Sequence, residues 1–227
     1  IGKDTRLSSD MLEGALTAGL CSVGADVVSL GVIPTPAVAF LVGKYKADAG
    51  IMISASHNPH EFNGIKIFSG DGYKLPDILE EEIEAIVLDK AKTIELKTGA
   101  DIGKVSYALN AARDYIDHVK ATVPFSLHGM KLAIDCSNGS ASRTAKELFT
   151  ELGAECFMLF DKPNGTNINY ECGSTHMDEL MRYVKENEFD AGVAFDGDAD
   201  RCLMVDENGC LVDGDFVMAI CAADLKL

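Results

Sequence analysis

Ala49-Gly50-Ile51-Met52-Ile53-Ser54-Ala55-Ser56-His57-Asn58-Pro59 passes from an apolar run to a polar display within a few residues. Ala49 to Ser54 has the length and apolar content of a strand. Pro59 disfavours helix at Asn58, so the chain turns where Ser56 and His57 are displayed. Polar side chains released at the carboxyl end of a strand occupy the ligand position of an open α/β sheet. Together with Asn63-Gly64-Ile65-Lys66, the segment offers a hydroxyl, an imidazole, amides and an ammonium, a set able to handle a phosphate. An ordinary capped turn, with His57 merely hydrogen-bonded, would use the same residue types.

Outward from this strand the pattern alternates. Upstream, Met11, Leu12, Ala15, Leu16, Gly19, Leu20 and Val23 follow a helical period, with Ser9 or Asp10 as cap and Gly24 as stop. Ala25 to Leu30 reads as a strand, and Pro36 opens a short helix over Ala37 to Gly43. Downstream, Ile65 to Phe68 is a short strand. Pro76 to Lys90 is a surface helix with Leu79, Ile83, Ile86 and Val87 on one stripe and glutamates outside. Residues 91–105 read as a crossing segment, and a helix runs from Tyr107 to about Thr122, before Pro124.

The order then repeats. Lys131 to Asp135 is a strand, Asn138-Gly139-Ser140 a turn into a helix ending at Leu152, and Glu155 to Phe160 a strand. A polar loop from Asp161 to Gly173 leads to a helix over Met177 to Asn187 and a strand over Ala191 to Phe195. Leu203 to Val205 and Cys210 to Val212 flank Asp206-Glu207-Asn208-Gly209 as a hairpin, and a last helix covers Asp215 to Leu225. The expected fold class is α/β: two consecutive mixed-sheet α/β domains.

The second polar display is Asp196-Gly197-Asp198-Ala199-Asp200-Arg201, again directly after an apolar strand. Three carboxylates within five residues repel one another unless a cation neutralises them. Gly197 lets the backbone curl, and oxygen-only donors suit Mg²⁺ better than zinc. A solvated acidic turn is the bland alternative. A calcium-binding helix–loop–helix is excluded, because Arg201 stands where its turn needs glycine and the flanks read as strands. A phosphoaspartate nucleophile would leave the serine segment unexplained.

Among 227 residues, 36 acids against 20 Lys and Arg leave a formal charge of −16, which argues against a nucleic-acid backbone binder. An anionic metabolite stays compatible, since a local site can oppose the global sign. Seven cysteines, with no CxxC pair, read as thiols of a reducing compartment. No apolar run approaches the roughly 18 residues of a membrane span, and no leader opens the chain. A soluble cytoplasmic protein is expected. The chain begins at Ile1 inside one element and stops at Leu227 inside another, as a piece of a longer protein would.

Ser54 to Pro59 with Asn63-Gly64-Ile65-Lys66 resembles the active-serine signature of the α-D-phosphohexomutases, and Asp196 to Arg201 resembles their metal-binding signature. Gly2-Lys3-Asp4-Thr5-Arg6, Ile33-Pro34-Thr35-Pro36 and Asp213-Gly214-Asp215 are similar to further family segments. The likeness extends over essentially the whole chain. It implies domain I over residues 1–108, N-terminally incomplete, domain II over 109–212, and the start of domain III over 213–227.

The resemblance also implies roles. Ser56 matches the serine that carries a phosphoryl group. Asp196, Asp198 and Asp200 match the ligands of one Mg²⁺ per site, with a phosphoserine oxygen of Ser56 completing the protein side. His57 and Arg201 match residues near the transferring phosphate, Lys66 the proton-transfer candidate, and Arg6 a basic residue bordering the site. The implied reaction converts glucosamine 6-phosphate to glucosamine 1-phosphate through a sugar 1,6-bisphosphate, which also serves as activator. Mannose or glucose phosphates are the alternative substrates. A non-catalytic unit that binds metal and phosphate is the alternative from another class, and this span alone is expected to be inactive. The expected partner is a phosphorylated hexosamine, with neither nucleic acid nor membrane, and with room for a homodimer.

Overall fold

Apolar runs bounded by turn residues form the strands and the periodic stretches form the helices. In the computed structural model, which describes residues 1–89 and 93–225 without the side chain of residue 89, the first half comprises β1 (Gly2–Lys3), α1 (Leu7–Ser22), β2 (Val27–Ser29), β3 (Gly31–Val32), α2 (Thr35–Lys44), β4 (Ala49–Ile53), β5 (Ile65–Ser69), α3 (Asp77–Asp89), β6 (Val105–Tyr107) and α4 (Ala111–Ala121). The second half comprises β7 (Lys131–Asp135), α5 (Ala145–Glu151), β8 (Glu155–Leu159), α6 (Asp178–Glu186), β9 (Ala191–Phe195), β10 (Cys202–Val205), β11 (Leu211–Val212) and α7 (Gly214–Asp224). Lys90, residues 91–92 of the expected crossing segment, and residues 226–227 lie outside the described residues.

Both main sheets are mixed. The first has the order β3-β1-β4-β5, with β1 parallel to β3 and β4, and β5 antiparallel to β4. The second has the order β11-β10-β9-β7-β8, with β7 parallel to β8 and β9 and the β10–β11 hairpin antiparallel. The side-chain alternation of β7 shows how it is covered on both faces. Ala133 faces the cluster of Leu180 and Val184 from α6, whereas Leu132 and Ile134 pack with Ala141 and Ala145 on the α5 side. In the first domain Val38 and Leu41 of α2 pack on Met52 of β4. Each such fully buried aliphatic side chain contributes about 1.5–3 kcal/mol. Among the described residues no helix is long and apolar enough to cross a membrane.

Several expectations need correction. α1 begins at Leu7, with Arg6 at its N-cap and no side-chain cap, because Ser9 lies inside the helix and its hydroxyl donates to Asp4. The strand expected over Ala25 to Leu30 is shorter, β2 over Val27–Ser29 paired with β6, and the chain enters a different sheet just beyond it, where β3 pairs with β1. The same β2–β6 pairing holds Tyr107 extended, so the helix expected from there starts at Ala111. The helix expected after Ser140 begins instead as a 3₁₀ turn over Ser140–Arg143, whose first amide is drawn to the carbonyl of Gly197 at 2.9 Å. The stripe on α3 is not covered, with Leu79, Ile83 and Val87 exposed.

Candidate active site

The end of β4 sets the serine loop. Ser54 donates from Oγ to Asp4 Oδ2 at 2.7 Å and accepts from the amide of Ser56 at 2.9 Å. Gly64 lies against this strand end, where an added Cβ would come 2.8 Å from the Ser54 carbonyl. The chain then places Ser56 at φ +53°, in the left-handed region. A non-glycine residue there costs about 1–3 kcal/mol and persists only where the surroundings over-determine it.

Arg6 provides much of that determination. Its Nε donates to Asp4 at 2.8 Å, one terminal nitrogen donates to the carbonyls of Pro59 and Phe62, and the other to those of Ser56 and Asn58, each at 2.9 Å. A guanidinium has five N–H donors; here four go to carbonyls of the serine loop and the fifth to Asp4. Arg6 and Asp4 are both fully buried at the side chain. Arg6 thus borders the site from behind the serine loop, with its donors directed to protein acceptors.

The acidic loop follows β9. A Cβ on Gly197 would come 2.6 Å from the Ser56 carbonyl, so only glycine allows the two loops this approach. Asp196, Asp198 and Asp200 bring carboxylate oxygens within 4.8 Å of one another. Asp198 is fully buried. Its Oδ2 accepts from the Thr35 hydroxyl and from Lys66 Nζ, the latter at 2.6 Å, while its Oδ1 is buried without a hydrogen-bond partner. A buried carboxylate oxygen with no donor is costly unless something positive meets it. This orphan and the oxygen-only donor set fit a hard divalent cation such as Mg²⁺. Burial, reinforced by Asp198 and Asp200 and opposed by the Ser56 hydrogen bond, holds the Asp196 carboxyl above the usual range.

The two loops converge across the domain boundary. Ser56 Oγ donates to Asp196 Oδ2 at 2.6 Å. Lys66, on β5, reaches Asp198 and also Asp200 at 2.9 Å. Burial lowers its pKa, but the hydrogen bonds and fields of the two aspartates outweigh this and raise it above the ordinary lysine value. Arg201 donates to His57 Nδ1 at 3.1 Å, which leaves the imidazole proton on Nε2.

Thus Ser56, Asp196, Asp198, Asp200 and Lys66 lie together, His57 and Arg201 form a pair across the two loops, and Arg6 meets the group only through the serine-loop backbone. Two contributors were not legible in the sequence. Thr35, in the quoted Ile33-Pro34-Thr35-Pro36 stretch, grips Asp198 through both its hydroxyl and its amide. Asn169 lies in a segment whose only signal was polarity.

The chain matches the family models for the phosphoglucomutase/phosphomannomutase α/β/α domain I over residues 1–93 and domain II over residues 113–209. It therefore belongs to the phosphoglucomutase/phosphomannomutase family. Within that family it is 55% identical over 226 residues to the phosphoglucosamine mutase of Clostridium beijerinckii, covering 100% of this chain and 50% of that protein. It is 54% identical over 226 residues to the phosphoglucosamine mutase of Acetivibrio thermocellus, with the same shares of both. The crystal structure of a phosphoglucomutase/phosphomannomutase family protein from Burkholderia thailandensis superposes with a TM-score of 0.83 at 29% identity, over 99% of this chain and 49% of that one. The chain spans about half the length of the curated relatives it matches.

Proposed function

We propose that the protein containing this chain interconverts glucosamine 6-phosphate and glucosamine 1-phosphate, with Ser56 as the phosphoryl carrier. The observation that carries the reading is the 2.6 Å hydrogen bond from Ser56 Oγ to Asp196, one of three clustered carboxylates from the facing domain. The 55% identity to a phosphoglucosamine mutase supports the choice of sugar. Residues 1–108 and 109–212 would form the two walls of the site, and 213–227 would open a third domain. Seven unpaired thiols favour a reducing, cytoplasmic setting.

The chemistry runs as two phosphoryl transfers. The sugar hydroxyl at C1 attacks the phosphorus on Ser56, the bond to Ser56 Oγ breaks, and the hydroxyl proton ends on the departing serine oxygen. The resulting 1,6-bisphosphate turns over, and its C6 phosphoryl group returns to Ser56, releasing the 1-phosphate. Asp196, Asp198 and Asp200, with a phosphoserine oxygen, would hold Mg²⁺, which when bound supplies positive charge to the transferring oxygens. Three carboxylates exceed a divalent cation by one unit, and a phosphate adds about −2 near pH 7. Lys66 and Arg201 are the cations of this chain placed to offset that excess. His57, paired with Arg201, would hold that guanidinium at the loop boundary.

The whole protein, primed with the bisphosphate, is expected to turn over glucosamine 6-phosphate in preference to glucose and mannose 6-phosphates. A coupled assay in which either of those sugars matches or exceeds glucosamine would remove the substrate assignment. Asp198→Asn, which keeps the shape and removes the charge, is expected to weaken Mg²⁺ binding by at least about tenfold. Calorimetric titration giving the parent affinity in a folded variant would argue against the metal role.

A further inference from the structure

We infer that Asn169 is a positioning residue for the reactive serine, gripping the Ser56 loop from the opposite domain. The inference rests on the phosphoryl-transfer reading above. Asn169 belongs to the loop between β8 and α6, and its side chain crosses the domain boundary. Its Nδ2 donates to the carbonyl of Ser56 at 2.9 Å and to that of Asn58 at 3.0 Å. These are the same two carbonyls that one terminal nitrogen of Arg6 engages. The serine loop is thus clamped between a guanidinium of its own domain and an amide of the other.

The amide is itself braced. Asn169 Oδ1 accepts from the Ser137 hydroxyl at 2.7 Å, and its backbone N–H donates to the Ser137 carbonyl at 3.0 Å. Ser137 in turn donates its N–H to the buried Asp135 at the end of β7, at 2.7 Å. The other Asp135 oxygen accepts from the amide of Gly173 at 2.8 Å, which pins the far end of the same loop. A continuous path of hydrogen bonds therefore links a core strand of the second sheet to the backbone of Ser56. Asn169 sits at φ +60°, a conformation asparagine tolerates better than most residues.

The position of this amide matters for geometry rather than for bulk. Ser56 is at φ +53°, so a small relaxation of its carbonyl would swing Oγ away from Asp196. A Cβ on Gly197 would also approach Asn169 Nδ2 to 2.8 Å, so the amide backs the acidic loop as well as the serine loop. Asn169 contacts neither the serine hydroxyl nor a carboxylate of the triplet, and its effect is transmitted through the backbone of Ser56.

The test compares Asn169→Gly and Asn169→Asp in the whole protein. Glycine keeps the backbone conformation and removes the amide, while aspartate keeps the shape and removes both donors. Protein carrying a radiolabelled phosphoryl group on Ser56 is mixed with glucosamine 6-phosphate, and passage of the label from Ser56 to sugar is followed in a single turnover. Both variants are expected to transfer at least about tenfold more slowly, the scale of a misplaced reacting group. KM and Mg²⁺ affinity should stay within about twofold of the parent, and backbone amides of the 54–62 loop should exchange faster. Parent-like transfer per folded molecule, full rescue by aspartate, or a fall in Mg²⁺ affinity that matches the fall in rate would each overturn the inference. If the parent itself takes no phosphoryl group on Ser56, the functional reading falls instead. Loop exchange then decides: faster exchange upholds the grip on the loop, and unchanged protection refutes it.

Discussion

Replacing Ser56 with alanine is expected to reduce phosphoryl uptake by the protein to background, the largest functional effect of any single substitution in this chain. The hydroxyl can carry a phosphoryl group and lies against the carboxylate cluster, 2.6 Å from Asp196. Alanine removes the oxygen to which phosphorus would bond, and the neighbouring groups are already engaged: the buried Thr35 hydroxyl is held by Asp198. His57 is paired with Arg201, and Ser54 Oγ is occupied by Asp4 and the Ser56 amide. The fold should survive, because a single hydrogen bond of this kind contributes about 0.5–1.5 kcal/mol, or somewhat more with a charged acceptor. Intact mass after incubation with a hexose 1,6-bisphosphate is the readout. Uptake of one phosphoryl group by a folded Ser56→Ala protein at the parent stoichiometry would sink the assignment.

The largest expected effect on stability belongs to Arg6. Its removal in Arg6→Met leaves the Asp4 carboxylate buried without a counter-charge and strips donors from the carbonyls of Ser56, Asn58, Pro59 and Phe62. Breaking a buried pair by removing one partner costs about 3–5 kcal/mol. For a chain of this size that corresponds to a fall in Tm of roughly 6–20 °C. Adding Asp4→Asn should recover part of the loss, since the double variant no longer buries an unpaired charge, and the two changes should be far from additive. Thermal and denaturant unfolding of the four proteins measure this. If Arg6→Met melts with the parent but transfers phosphate slowly, then Arg6 acts on the substrate side and the buried-brace account is wrong.

Two of the cations in the quoted motifs illustrate how far residue type reaches. Arg6 and Lys66 are both cations in conspicuous motifs, and nothing in their spelling separates them. Folding buries Arg6 behind the serine loop, where every donor has a protein acceptor. It leaves Lys66 about one-third exposed, bridging two aspartates. The difference arises because β5 pairs antiparallel with β4 and places Lys66 beside Met52, with its side chain toward the second domain. Arg6 instead precedes α1, from where its side chain reaches back under the loop.

Local spelling determined the transitions from apolar strand to polar loop at Ser54 and at Asp196, the alternation of helices and strands, and the crowding of three carboxylates. These follow from periodicity, turn residues and like-charge repulsion between near neighbours, which act over a few residues. Tertiary structure alone decided that Ala25 to Val32 divides between two sheets, that Thr35 grips Asp198, and that Asn169 holds the Ser56 carbonyl. Those contacts join groups separated by 163 residues for Thr35 and Asp198 and by 113 for Asn169 and Ser56. Hydrogen bonds at such separations depend on how two independently formed sheets dock, and no spacing along the chain encodes which donor then meets which acceptor.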